Sequence, residues 1–295
     1  MKLCNAGSTL ILLLAITSVA VAAEPAQFSA REDGDRIIVS REGIETPLVV
    51  QNAKMDMRPY LHPIQAPDGK GTLTQYSPGH HRHQTGLYWG FTRVNGRDYF
   101  HHPKDGYWRL KERKVITAKG PNVQWQTVYD MLGADKKPVL VETQTWTISG
   151  SGDSYSLDLD WKGTAPVDVK FSRYAYGGLF LRMPWSGKTR GTAVNSGGLE
   201  NRKAEGKRSR WVDIGMPIKD RDDWGHIVMM DHPKNDGHPI PWRVDGQLGV
   251  GPCRARLGEW KLPKGESAEV RHRLYIYTGK TDAKRVHLQW NRFSE

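Results

Sequence analysis

Tyr155-Ser-Leu-Asp-Leu-Asp-Trp161 alternates without a break, putting Tyr155, Leu157, Leu159 and Trp161 on one side of an extended chain and Ser156, Asp158 and Asp160 on the other. An apolar face backed by a polar one is the pattern of a half-buried antiparallel strand. Val270, His272, Leu274 and Ile276 repeat it near the C-terminus. Between and around these, Val123 to Leu132, Val139 to Ile148, Val167 to Tyr174 and Leu179 to Met183 carry the β-branched and aromatic content of further strands. Gly, Pro, Asn and Asp punctuate the intervals, so the stretch from about Arg36 to Thr278 predicts an all-β protein, an antiparallel β-sandwich. A short terminal helix completes it: Thr281 or Asp282 can cap, and Ala283, Val286, Trp290 and Phe293 make an apolar stripe at three- and four-residue spacing.

The chain has 295 residues and a formal net charge of +11. Lys2 followed by the apolar run Leu10 to Ala22 reads as a secretory signal of residues 1–23, with Ala20-Val-Ala22 as the small-residue site before cleavage. That run is too short to span a bilayer, so the expectation is an exported chain, secreted or periplasmic, without a membrane span. Losing the leader removes Cys4 and leaves Cys253 alone, so the fold rests on a core rather than on a disulfide. Residues 24–295 show no repeat, low-complexity tract or linker and read as a single domain. The excess of Lys and Arg favours anionic partners. Among these, acidic carbohydrates suit an exported chain; nucleic acid does not, because beyond general charge no binding motif is present.

Two segments concentrate imidazoles among prolines, glycines and aromatics: Arg58-Pro-Tyr-Leu-His-Pro leading to Pro78-Gly-His-His-Arg-His-Gln-Thr-Gly-Leu-Tyr-Trp-Gly, and Asp231-His-Pro-Lys-Asn-Asp-Gly-His-Pro-Ile-Pro-Trp242. Imidazole both transfers protons near neutral pH and binds metals, so loop-like sequence this rich in it points to a site. On an extended backbone His81 and His83 would share a face, as an acid–base pair or as two metal ligands. As ligands such a pair could hold a divalent metal if His62, His232 or a carboxylate completed the set. The apolar run Ile227-Val-Met-Met230 reads as a buried strand that delivers Asp231 and His232 at its end. Arg58 and His62 are candidate substrate positioners, and Trp211 and Trp242 candidate platforms for a sugar's C–H face. His238, between Gly237 and Pro239, reads as part of a rigid loop. Asp130 and Glu142 are further acids in the β region. Serine-nucleophile elbows, the metalloprotease helix motif, phosphate-binding loops and dinucleotide fingerprints are absent from the sequence.

The order of these segments, together with Val94-Asn-Gly-Arg-Asp-Tyr-Phe, Arg210-Trp-Val-Asp and Arg273-Leu-Tyr-Ile-Tyr, resembles the PmoA-like family over roughly residues 45–280. Its pattern is matched at His81, His83, Gly86, Asp231, His232 and Trp242. The resemblance implies an exported bacterial protein of carbohydrate catabolism. Methane oxidation, which the family's label suggests, does not fit a polar chain with no bilayer-length apolar stretch beyond the leader. Three readings follow: a carbohydrate-active lyase, hydrolase or epimerase using His81, His83, Asp231 and His232; a metal-dependent enzyme with the His-x-His pair as ligands; and a noncatalytic glycan binder.

Overall fold

The structure, a computed structural model, describes residues 24–79, 81–188 and 190–295. The leader expected at residues 1–23 lies outside them. The strand at the centre of the sequence pattern runs Ser154–Thr164, and Tyr155, Leu157, Leu159 and Trp161 are at most 1% exposed. Burying such side chains contributes roughly 1.5–3 kcal/mol each, which is why the register of this strand is fixed. It pairs antiparallel on both sides, with Pro138–Ser151 and with Ser267–Thr278.

Two large sheets form among the described residues, and every strand pair in them is antiparallel. One has eight strands in the order Thr192–Asn195, Trp211–Pro217, Trp224–Asp231, Ser267–Thr278, Ser154–Thr164, Pro138–Ser151, Val123–Leu132 and Trp108–Thr117. The other has nine, from Trp242–Val244 through Gly249–Pro252, Gly178–Arg182, Leu87–Gly90, Tyr60–Ile64, Val49–Asn52, Arg36–Arg41 and Phe28–Asp33 to Lys119–Gly120. Their inner faces meet in one core from Ala26 to Ile276, where Trp125, Trp146 and Trp161 oppose Ile37, Val49, Leu61, Leu87 and Leu179. The β-sandwich expected from alternation is the fold observed. A small extra pair, Val169–Phe171 with Trp260–Leu262, replaces the longer strand expected at Val167 to Tyr174.

The outer faces carry the local structure that matters for function. On the eight-stranded sheet the C-terminal helix, Ala283–Ser294, is capped by Asp282, whose side chain accepts the Arg285 N–H at 2.9 Å. The helix covers Trp211, Val228, Met230, Tyr275 and Tyr277 with Val286, Trp290 and Phe293. On the nine-stranded sheet Tyr60, Tyr88, Phe100 and Phe180 form a separate aromatic patch, with Met57 and Tyr176 at its margin. Among the described residues no helix is long and apolar enough to cross a membrane.

Candidate functional site

Arg58 organises the aromatic patch. Its guanidinium is fully buried and donates to Phe100 O (2.8 Å), Tyr99 O (3.3 Å), His83 O (2.7 Å) and Thr85 Oγ1 (3.2 Å) while lying 3.6 Å above the Tyr88 ring. Burial pulls its pKa down to about 10, so it stays charged at neutral pH. One planar donor fork thereby ties the turn at residues 81–85 to the segment around Phe100, and each carries histidines. Gly86 closes the turn with φ of +83°; a Cβ there would come 2.6 Å from Leu61 O, so the chain enters the strand Leu87–Gly90 only with glycine at this position.

The backbone at His81 is not extended. Gln84 N–H donates to His81 O and His81 N–H to Pro78 O, so successive turns, and not strand alternation, bring the two rings together. The rings of His81 and His83 lie edge to face at 5.6 Å, and His83 is 4.6 Å from His101, which the sequence reading had not singled out. Burial, reinforced by the neighbouring His101, Arg58 and His81, holds the His83 pKa at about 3. His83 is therefore a neutral imidazole at neutral pH.

His101 is built differently. Its Nδ1–H donates to Asp98 Oδ2 at 2.7 Å, and its Nε2 stands 3.3 Å from the Tyr176 hydroxyl. Asp98 Oδ1 in turn accepts the backbone N–H groups of Phe100 (2.9 Å) and His101 (3.0 Å). Partial burial pushes the Asp98 carboxyl up, but the hydrogen bonds from the His101 ring and these two amides outweigh it and hold the group below the usual carboxylate range. A fixed carboxylate on one ring nitrogen sets the tautomer and leaves the other nitrogen for chemistry.

Across from the histidines, Arg182 is buried and donates to the Gln84 side chain, to Gln247 O and to Asp245 Oδ2. Arg243 pairs with Glu205 at 2.9 Å and lies 5.5 Å over the Tyr176 ring. A cavity of about 70 Å³ is lined by the rings of Phe100, Phe180 and Tyr176 together with His81, His83, His101, Gln84, Arg243 and Asp245. Imidazoles, a guanidinium, a carboxylate and an amide thus share one cavity with aromatic rings, a set suited to a small polyhydroxylated ligand. Asp98, His101, Tyr176, Arg243 and Asp245 are the residues that sequence reasoning missed; the Asp98-x-x-His101 spacing beside two aromatics was the available signal.

The second histidine segment builds another structure. Asp231, at the end of the strand Trp224–Asp231 as expected, is fully buried and accepts from His238 Nδ1 (2.7 Å), Asn235 Nδ2 (2.8 Å) and Ile240 N (3.2 Å). Its partner is His238 and not its neighbour His232, because adjacent strand residues face opposite ways. His232 accepts the Lys234 N–H on Nδ1 and packs edge-on against Phe293 of the terminal helix. The structure therefore separates Asp231 and His232 from the His81–His83 pair: His232 packs on the helix-covered face of the eight-stranded sheet, and Asp231 is buried against the loop that returns at His238. Trp211 lies under that helix, and Trp242 is fully buried in the main core with its indole N–H on Ser209 O, so neither presents a face to a ligand. Arg58 acts from beneath the site, since it has no exposed surface. His62 shares the outer face, hydrogen-bonds Thr74 Oγ1 at 2.9 Å and stands 5.8 Å from the Tyr76 ring, but it does not line the cavity. Among the described residues no group of three or more His, Cys, Asp or Glu side chains is arranged to hold a metal. Cys253 is buried, which pushes its thiol up to about 11.

Residues 47–291 match the model of a family described as a family of unknown function, DUF6807. The chain belongs to this family. No curated protein matches this DUF6807 member. Solved structures similar to it include the GH36 alpha-galactosidase AgaB of Geobacillus stearothermophilus (8% identity, TM-score 0.44, 85% of this chain and 41% of that one). Others are an alpha-galactosidase of Lactobacillus brevis (9%, 0.40, 87% and 39%) and the galactose 1-epimerase of Lactobacillus acidophilus NCFM (8%, 0.39, 88% and 100%). The DUF6807 chain spans about two fifths of the length of the two galactosidases.

Proposed function

We propose that this DUF6807 protein is a carbohydrate-active enzyme that moves protons on a sugar in the pocket formed by His81, His83, His101, Tyr176, Arg243 and Asp245. The observation that carries the reading is the Asp98–His101–Tyr176 chain set 4.6 Å from the neutral ring of His83. One imidazole is oriented and charge-supported by a carboxylate, and the other is kept neutral by burial and by like-charged neighbours. An imidazole with one nitrogen held by a carboxylate, beside a second that stays uncharged, is an arrangement for proton transfer.

The cavity of about 70 Å³ has room for roughly two water molecules, so it takes one edge of a sugar ring while the rest stays outside. Arg243 donates to ring and exocyclic oxygens, the free lone pairs of Asp245 accept from hydroxyls, and the Phe100 and Phe180 rings pack against C–H groups. His101 Nε2, its lone pair set by the Nδ1–H bond to Asp98, takes a proton from one position of the sugar and gives it back at another, while the neutral ring of His83 hydrogen-bonds the substrate. Hydrolysis by a pair of carboxylates is the less suited chemistry, because Asp98 is committed to His101 and Asp245 to Arg182 and to backbone amides. Epimerisation or elimination needs no second free acid. A metal-assisted variant is left without the expected third ligand from His62 or His232, which the fold engages elsewhere.

The test is a panel of neutral and acidic aldoses followed by polarimetry and by ultraviolet absorbance for unsaturated products, with wild type, His101→Gln and His83→Gln compared. Loss of turnover by about 100-fold or more in both variants, with unchanged thermal unfolding, is the expected result. Unchanged turnover in both would overturn the assignment.

A further inference from the structure

Charge separates the hollows of this molecule. An aromatic cavity of about 260 Å³ among Trp89, Phe91, Trp161 and Trp260 is lined by Asp236 and Glu269 as well as by Arg254 and Lys261, so it favours neither sign. A groove of about 540 Å³ beyond the end of the strand Gly178–Arg182 is different. Lys188, Arg190 and Lys219 line it beside Trp185, and among the described residues no carboxylate does. Lys188 and Arg190 carry no ion pair among the described residues, while Lys219 meets Asp220 at 4.0 Å with both side chains almost wholly exposed, a contact worth little. Of the other acids on that turn, Asp222 stays outside the lining, and Asp223 is clamped together with Asp68 by Arg221, at 2.6 and 2.9 Å. Trp185 is half-buried against the main core, and its backbone N–H donates to Gln75 Oε1 at 3.4 Å, so its ring is a fixed wall of the groove.

Position ties the groove to the histidine cavity. Phe180 lines the cavity, and Arg182, two residues on, holds the Gln84 and Asp245 side chains of its lining. Pro184, in the wall of the groove, lies two residues further along the same side of the chain; a rise of about 3.3 Å per residue keeps it within about 13 Å of Phe180. Gln75, also in the groove, gives its N–H to Arg182 O at 2.9 Å and stands on the same loop as Gln84.

We propose that the groove binds a uronate residue of an acidic glycan whose other end enters the histidine cavity, so that the substrate is an acidic oligosaccharide and not a free sugar. The reach into the cavity rests on the function proposed above; the selectivity of the groove does not. The planar fork of Arg190 matches a carboxylate, Lys188 and Lys219 add charge and donors to hydroxyls, and Trp185 offers its face to ring C–H groups.

Calorimetric titration of the full chain with a galacturonate tetrasaccharide, with neutral maltotetraose and with tripolyphosphate tests this. Saturable binding of the galacturonate chain, about tenfold or more tighter than either control and weakened by added salt, is expected. The double variant Lys188→Ala, Arg190→Ala, at two exposed positions where folding is not at risk, should lose about tenfold or more of that affinity. Binding of the galacturonate chain without turnover of any sugar would uphold the groove and count against the reaction alone. Absence of saturable binding, equal affinity for maltotetraose or for tripolyphosphate, or binding unchanged in the double variant would each overturn the proposal.

Discussion

The buried guanidinium of Arg58 rests 3.6 Å above the ring of Tyr88 and reaches, through its two terminal nitrogens, acceptors in two separate segments of chain. A lysine at this position has one nitrogen and no plane, so it can neither stack on Tyr88 nor bridge His83 O to Phe100 O. Arg58→Lys is therefore expected to cost about 2–4 kcal/mol, measured by urea unfolding, and to release the His81–Gly86 turn. Full stability in this variant would show that the turn is held by other means.

Asp98 defines how His101 works. In Asp98→Asn the amide can offer an N–H to the ring nitrogen that now donates, which favours the wrong tautomer. Turnover is expected to fall by about 100-fold or more with little change in unfolding midpoint, as for other orienting carboxylates. An equal loss of both would reduce Asp98 to a structural role.

Asp231 and His232 are adjacent, yet their substitutions should diverge. Asp231→Ala strands the His238 ring, the Asn235 amide and the Ile240 N–H, and is expected to cost about 3 kcal/mol or more by chemical denaturation. His232→Gln gives up one hydrogen bond from Lys234 N and an edge contact with Phe293, which should amount to about 1 kcal/mol and leave turnover untouched. Abolished turnover in His232→Gln with the fold intact would bring that face of the molecule into the reaction.

Glu142 gives the stability a pH dependence of definite sign. Burial raises its pKa to about 7, against the hydrogen bonds from Trp161 and Gln144 and the charge of Arg58, which pull it down. A carboxyl raised in the folded state stabilises fully below the ordinary value near 4.5 and loses that contribution as pH rises through about 7. His83 runs the other way: with its folded pKa at about 3, stability is complete above the ordinary histidine value and falls between about 6.5 and 3. Denaturation curves from pH 4 to 8 should show Glu142→Gln abolishing the decline on the alkaline side and His83→Gln flattening the acid side. Curves parallel to wild type in either variant would contradict the corresponding assignment.

The strands and the helix were legible because period and burial coincide: Tyr155 to Trp161 and Val286, Trp290 and Phe293 each declare a face. Only His81 and His83 of the candidate site were legible, for a similar local reason, since they are two residues apart. The rest was not. His101 reaches His83 only because Arg58 clamps both segments, and Tyr176, Arg243 and Asp245 arrive from strands and loops that sequence spacing does not connect. Trp211 and Trp242 misled because an aromatic in a loop-like segment looks the same whether it ends in a core or at a surface; burial alone decides, and burial is tertiary. Asp231 was correctly placed at a strand end, but its partner was set by the return of the loop at His238.

The strand Leu87–Gly90 is buried along its whole length, with Tyr88 turned outward under Arg58 and the histidines and Trp89 turned inward to the aromatic cavity. Because successive side chains of a strand project oppositely, a slip of one residue would exchange the two faces, setting an indole beneath the imidazoles and a phenol ring in the core. The two compartments are thus back to back on a single peptide ribbon, like rooms sharing a party wall. An engineer who wishes to reshape one must draw the plan for both.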